Sequence, residues 1–297
     1  MKRIATILLL ALLLGACGRN EQSIPAFITI PAVVLDRGND EVWNHKDAGF
    51  FTYDIDAVSI RFYVEGDTAW TELGVFQLPC RVPVLREGVI DTMVIDPVVK
   101  MNGIASTRIS YPYYRPISLG QITLTPDETL NLDTLHTTFR SSLVFSVPWD
   151  EYFTPTTNLK LDTVVRLITN RDTVLTGTGC GAVRVSKDQK SVSFWSHDSI
   201  YLPDPNADMY LEMEYRTDFD FSVGFSNPNM TGGSVITESA MVLYKTDEWK
   251  KIYINMGRLW TYYRHYPYIR LFFTVLNSDG EEGNVYLDNM KLLYFIR

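Results

Sequence analysis

Histidine and cysteine are scarce in this chain of 297 residues, which has four of the first and three of the second. His45, His136, His197 and His265 stand far apart, and there is no Cys-x-x-Cys pair or Cys/His cluster, so zinc-ligand spacing is missing. The chain also lacks a Gly-x-Ser-x-Gly elbow, a His-Glu-x-x-His pair, a P-loop and a dinucleotide glycine fingerprint. These gaps remove the sequence grounds for a serine hydrolase, a zinc protease, an NTPase or a nicotinamide enzyme. A glycoside hydrolase needs two carboxylates roughly 5–10 Å apart, and nothing in the sequence singles out a pair among 35 acidic residues. The expectation is a protein that is not an enzyme and carries no cofactor, with glycoside hydrolysis the least favoured function. Clustered lysine and arginine are absent as well, against 35 acids and a formal net charge of −8. That balance argues against a nucleic-acid or anionic-membrane surface.

Long apolar runs are missing except at the start. Lys2 and Arg3 precede Ile4–Leu14, which only Thr6 interrupts, and Gly15 and Ala16 follow. A charged start, a short apolar stretch and small residues make the layout of a secretory signal peptide. The run falls short of the roughly 20 residues needed to span a bilayer. Leu14-Gly15-Ala16-Cys17 resembles the lipobox of bacterial lipoproteins. The resemblance implies removal of residues 1–16 and lipidation of Cys17, which becomes the new N-terminus. Each buried methylene of an acyl chain adds about 0.8 kcal/mol of membrane affinity, so several chains make a lasting anchor. Processing would also remove Lys2 and Arg3, taking the basic count from 27 to 25 and the formal net charge to −10.

After residues 17–24, read as a lipidated polar tether, the chain is punctuated like an all-β protein. "PAFITIPAVVL" (25–35), which carries Pro25 and Pro31, reads as an extended segment. "VSIRFYV" alternates Val58, Ile60, Phe62 and Val64 on one face before a Glu65-Gly66-Asp67 turn. Short strands spaced about ten residues apart continue to Pro97, the pattern of a small antiparallel sandwich. "FYVEGDTAWTELGVFQLP" followed by "VLREGVIDTMVIDP" resembles a PEGA-like β-sandwich of bacterial surface proteins. "KMNGIASTRISYPYYRP" (100–116) is an aromatic loop whose Tyr111, Tyr113 and Tyr114 either meet a partner or cover the end of the sandwich.

A domain boundary is expected between 145 and 146, giving a first sandwich over 25–145 and a second over 146–297. "DEWKKIYINM" (247–256) and "GNVYLDNMKLLYF" (283–295) resemble the jelly-roll, carbohydrate-binding-module-like domains of secreted bacterial proteins. In "MYLEMEY", Tyr210, Glu212 and Glu214 alternate with Met209, Leu211, Met213 and Tyr215, which reads as a half-buried strand. The expected fold is all-β, two antiparallel β-sandwiches after a lipoprotein signal peptide.

Four further features bear on function. "RLWTYYRHYPYIRLFF" (258–273) is the densest aromatic stretch. Trp260, Tyr263 and Tyr266, with Arg264 donating hydrogen bonds, would make a platform for a glycan or a partner. The alternative is that Ile269, Leu271 and Phe273 form a core face and the tyrosines cap a sheet edge, since aromatics enrich strands generally. Asp288 in "YLDN" resembles a carboxylate that helps to hold a structural calcium in some jelly rolls, with Asp150 or Glu151 as partners; three side chains are few against the six to eight oxygens calcium takes. Cys80 and Cys180 would either pair in an oxidising compartment or act as small buried hydrophobes, the second being commoner on β-rich segments. An Asp-Thr/Ser pair followed by an aliphatic or similar residue recurs at Thr68, Thr92, Thr134, Thr163, Thr173 and Ser199, which resembles an envelope O-glycosylation acceptor but also suits turns before strands.

The whole layout resembles surface lipoproteins of Gram-negative bacteria. It implies an outer-membrane, lipid-anchored accessory that docks on a barrel or another envelope protein, or alternatively a cell-surface glycan binder. Replacing Cys17 with Ser should leave the protein unprocessed or released from membranes on fractionation. A mutant still cut before residue 17 and still membrane-bound would refute the anchor.

Overall fold

The computed structural model describes residues 24–36, 52–140, 143–146, 165–177, 179–196, 200–201, 208–227, 237–263, 265–266 and 268–295. The chain is all-β, and its described residues include one seven-residue α-helix, Gly257–Tyr263. No described helix is long and apolar enough to cross a membrane. Cys17 and the leader lie outside the described residues, as do Asp150, Glu151 and Arg264.

In the first half a five-stranded sheet is built on Ala57–Tyr63 and Thr92–Lys100, with Thr71–Gln77 at one edge. Arg108–Ser110 and Ile117–Leu119 pair with Thr92–Lys100. The expected alternation holds: Val58, Ile60 and Phe62 are buried, facing Ile28, Ile30, Val82 and Val84 in one core. Those last four come from Ala26–Ile30 and Cys80–Val84, which pair antiparallel. Two short ladders depart from the antiparallel expectation. Ala26–Ile30 runs parallel to Thr129–Asn131, and Val33–Leu35 runs parallel to Leu135–Thr137. The chain makes a long excursion through the five-stranded sheet between these partners and returns in the original direction, as parallel pairs require.

The second half is a sandwich of two antiparallel sheets. One is ordered Val165–Ile168, Cys180–Val185, Gly283–Phe295, Met209–Thr217 and Thr246–Asn255, with Leu143–Ser146 joined to the far end of Gly283–Phe295. Leu143–Ser146 thus straddles the expected boundary and belongs to this second sheet. The other sheet is ordered Ser191–Trp195, Tyr268–Leu276, Phe221–Ser226 and Thr237–Leu243, with Ile200–Tyr201 also beside Tyr268–Leu276. Between them lies a core that includes Phe194, Leu211, Met213, Val223, Phe225, Leu271, Phe273 and Leu287.

Tyr111, Tyr113 and Tyr114 bind the two halves together. All three are buried, and they pack with Tyr210, Tyr253 and Leu293 of the second half in the first half's core. The Tyr113 hydroxyl donates to the carbonyls of Asp208 and Leu293 at 2.7 and 3.0 Å. The hydroxyls of Tyr114 and Tyr253 meet at 3.2 Å, and the Tyr111 ring contacts the rings of Tyr113, Tyr114, Tyr210 and Tyr253 edge-on. Met101 bridges to Tyr253 in parallel, and the Asn102 N–H donates to the Tyr253 carbonyl at 2.8 Å. The aromatic loop therefore covers the core of its own half and packs against the second sandwich at once.

This cover corrects the reading of Met209–Thr217 as half-buried. Met209, Leu211, Met213 and Tyr215 face the sandwich core, while Tyr210, Glu212 and Glu214 are buried too, on the outer side. Truncating a fully buried aromatic costs about 3–5 kcal/mol. Tyr113→Ala should therefore lower stability to unfolding by denaturant by about that amount, while a wild-type midpoint would show that this ring does not join the halves.

Candidate functional site

The second sandwich has two outer faces, and they differ in what covers them. On the six-stranded sheet, the first half covers one end through its tyrosines. Farther along, buried charges follow: Glu212, Glu214, Lys251, Asp288 and Lys291. Glu212 accepts from the Tyr111 hydroxyl at 2.7 Å and pairs with the Lys251 ammonium at 3.0 Å. Lys251 also lies 3.3 Å from Glu214 and donates to Thr52 at 3.1 Å. Burial opposes the charge on Lys251, but Glu214 and Glu212 outweigh it and hold the ammonium well above its usual range. Lys291 goes the other way: burial, then Lys251, push it down to about 8.

Asp288, one of the expected calcium carboxylates, sits in this layer directly across from Glu214. It accepts from the backbone N–H groups of Thr176 and Asn289 at 3.2 and 2.8 Å. Thr176 lies in the segment that leads into Cys180–Val185, and neighbouring Thr173 accepts from the Trp249 indole at 3.2 Å. That segment roofs the far end of the sheet, where Arg216 lies over the rings of Trp249 and Tyr286. Among the described residues no group of three or more His, Cys, Asp or Glu side chains is arranged to hold a metal ion. Cys80 and Cys180 are both free; burial, then Asp288, push the Cys180 thiol up to about 12.

The other outer face belongs to the Ser191–Trp195 sheet, where register places the side chains in rows. Trp195 stands opposite Phe272, which stands opposite Gly224. The rings of Trp195 and Phe272 lie 5.4 Å apart at 40°, and both residues are half-buried. The next row is Ser193, Thr274 and Ser222, with the Ser193 and Thr274 hydroxyls 3.0 Å apart. On the other side of the aromatic row comes Arg270, opposite Ser226, and then Tyr268. A Cβ on Gly224 would lie 1.8 Å from the Glu238 carbonyl oxygen, so only glycine permits the edge strand Thr237–Leu243 to close in beside the row. The result is an aromatic pair with small hydroxyl groups on one side and a guanidinium on the other.

The residues expected to form the platform are placed elsewhere. Trp260 and Tyr263 lie on the Gly257–Tyr263 helix and are 2% and 0% exposed. The Tyr263 hydroxyl donates to the Phe225 carbonyl at 3.0 Å, and its ring belongs to the sandwich core. Tyr266 is half-buried against the same core. A stacking platform needs accessible rings, so Trp260 and Tyr263 do not make one; of the rings on that helix, Tyr262 is the exposed one, at 54%. Ile269, Leu271 and Phe273 are core residues, and their alternation turns Tyr268, Arg270 and Phe272 outward. Trp195 was missed, although "SVSFW" carries the same alternation, with Val192 and Phe194 inside. Of the histidines, His136 meets Asp36 in an exposed pair at 2.9 Å and His265 is exposed; His45 and His197 lie outside the described residues.

Among the described residues, two clefts are lined by other parts of the molecule. One of about 820 Å³ runs along the junction of the halves, lined by Lys100, Ile104, Val242, Tyr244, Trp249 and Lys251 among others. The other, of about 640 Å³, is lined by Asp218, Asp220, Lys245, Asp279, Glu281 and Glu282 among others.

No protein-family model matches the chain, and no curated protein matches it. Partial likenesses exist among solved structures. A family 30 carbohydrate-binding module is 14% identical, over 45% of this chain and 75% of its own, at a TM-score of 0.35. The family 30 module of a cellulosomal cellulase of Clostridium thermocellum is also 14% identical, over 45% of this chain and 84% of its own, at 0.34. A family 61 module, solved in complex with β-1,4-galactotriose, is 13% identical over 51% of this chain and 88% of its own, at 0.29.

Burial pushes the Asp288 carboxyl up to about 6, against the two N–H bonds that favour its charged form. The folded state thus holds this proton more tightly than the unfolded chain, whose Asp titrates near 3.8. Stability from this group is present below about pH 4 and lost as pH rises through about 6. Asp288→Asn removes that titration, so the variant should gain roughly 2–3 kcal/mol on the wild type between pH 4 and pH 7 in denaturant melts. Parallel pH profiles would show that Asp288 is not held protonated.

Proposed function

We propose that the protein is a non-catalytic glycan-binding lipoprotein, tethered to the outer membrane through a lipid on Cys17, that binds sugar on the outer face of its Ser191–Trp195 sheet. One observation carries the reading: the half-buried Trp195–Phe272 pair, flanked by the Ser193, Thr274 and Ser222 row. A pyranose presents C–H groups on its ring face and hydroxyls at its rim. Aromatic faces suit the first and serine or threonine hydroxyls suit the second. Among the described residues the opposite sheet offers no comparable surface, because the first half and the Thr173–Thr176 segment lie across it. Half-burial also fixes the two rings in advance, so little side-chain entropy is lost on binding.

A second reading, an accessory that docks on another envelope protein, rests on a different place. Ile104, Val242 and Tyr244, which are 51%, 46% and 71% exposed, line the cleft at the junction of the halves. A buried aromatic anchor ringed by polar groups is the common design of protein hot spots, and Tyr244 beside Lys250 and Lys100 would supply one.

Glycan arrays and calorimetry on Trp195→Ala, Phe272→Ala and Tyr244→Ala separate the two. Glycan binding should fall at least about tenfold, or about 1.4 kcal/mol, in the first two variants while Tyr244→Ala binds as the wild type. Wild-type protein that binds no glycan, with Tyr244→Ala losing a cross-linked envelope partner, would establish the docking reading instead.

A further inference from the structure

Arg270 stands apart from the other half-buried arginines. Arg61 pairs with Asp96, Arg108 with Asp56, and Arg216 lies over the Trp249 and Tyr286 rings. Among the described residues Arg270 has no carboxylate and no ring beneath its guanidinium, and its Nε is buried without a hydrogen-bond acceptor. Burying such a group unpaired is costly, and a chain with 35 acids had no shortage of residues to set beside it. The strands Ser191–Trp195, Phe221–Ser226 and Tyr268–Leu276 carry a single charged side chain between them, and it is Arg270. It sits two residues from Phe272, on the same outer face and next to the aromatic row. The guanidinium fork matches the two oxygens of a carboxylate better than any single-point acceptor.

Resting on the glycan-binding reading of this face, we infer that its ligand is an acidic saccharide, a sugar whose carboxylate pairs with Arg270 while its ring lies on Trp195 and Phe272. The Ser193–Thr274–Ser222 row on the opposite flank takes hydroxyls and holds no charge that would repel the ligand. The protein as a whole is acidic, so attraction of such a ligand is local and short-ranged, and one Arg free of competing carboxylates supplies it.

The test uses the full chain and four probes: oligogalacturonate, the same oligomer with its carboxyls reduced to alcohols, sialyllactose, and a sulfated oligosaccharide lacking carboxylates. Calorimetry should show one of the two carboxylated probes binding at least tenfold more tightly than the reduced oligomer and the sulfated one, with affinity falling as salt rises. Arg270→Met should bring the carboxylated probe down to the level of the reduced oligomer, and Arg270→Lys should restore only part of the preference. Should Arg270→Met fail to fold, the comparison of native and reduced oligomers on the wild type decides alone. Equal affinity for those two, a preference for the sulfated probe, or an unchanged preference in Arg270→Met overturns the acidic-sugar inference. If neutral sugars then still bind and lose affinity in Trp195→Ala, glycan binding stands without it; if no sugar binds, both fall.

Discussion

The contact on which the rest of the molecule depends is the one between Tyr111 and Glu212. A hydroxyl from the first half reaches a carboxylate on the outer face of the second, in a site where neither meets water. Glu212 in turn holds Lys251, and Lys251 holds Glu214 and Thr52. Buried charges are tolerable only when paired and hydrogen-bonded, so this layer exists because the first half seals it. The sealing also makes the two sandwich faces unlike: one is committed to joining the halves, and the other carries the half-buried Trp195–Phe272 pair.

Much of the architecture can be read from local periodicity. The alternations Val58-Ile60-Phe62 and Ile269-Leu271-Phe273 name core faces correctly, because each depends only on the pleat of its own strand and a neighbouring sheet. "MYLEMEY" misleads for the same reason. Its alternation of glutamates with apolar residues normally means one wet face, and here that face is covered by a loop about a hundred residues earlier in the chain. Nothing in either segment announces the other. The two parallel ladders of the first half are equally hidden, since each is three residues long and joins strands about a hundred residues apart.

The site was half legible. Aromatic density pointed to residues 258–273, and part of the open face does come from that stretch, but from its strand rather than its helix. Trp260 and Tyr263 turn inward because a seven-residue helix at the end of a sandwich buries whichever side meets the core. Tyr268, Arg270 and Phe272 turn outward because Ile269, Leu271 and Phe273 take the inside. Trp195 completes the pair from a strand some eighty residues away, which only the register Trp195–Phe272 reveals. Counting aromatics finds the neighbourhood, whereas parity along each strand decides which of them face solvent.

The strand Gly283–Phe295 lies inside the six-stranded sheet, pairing with Leu143–Ser146, Cys180–Val185 and Met209–Thr217. It is also the described strand that a ribosome makes last. Everything before it in the second sandwich must therefore wait, its sheet lacking a middle, until this strand has been synthesised. The first half waits as well, since its tyrosines close on Tyr210 and Leu293.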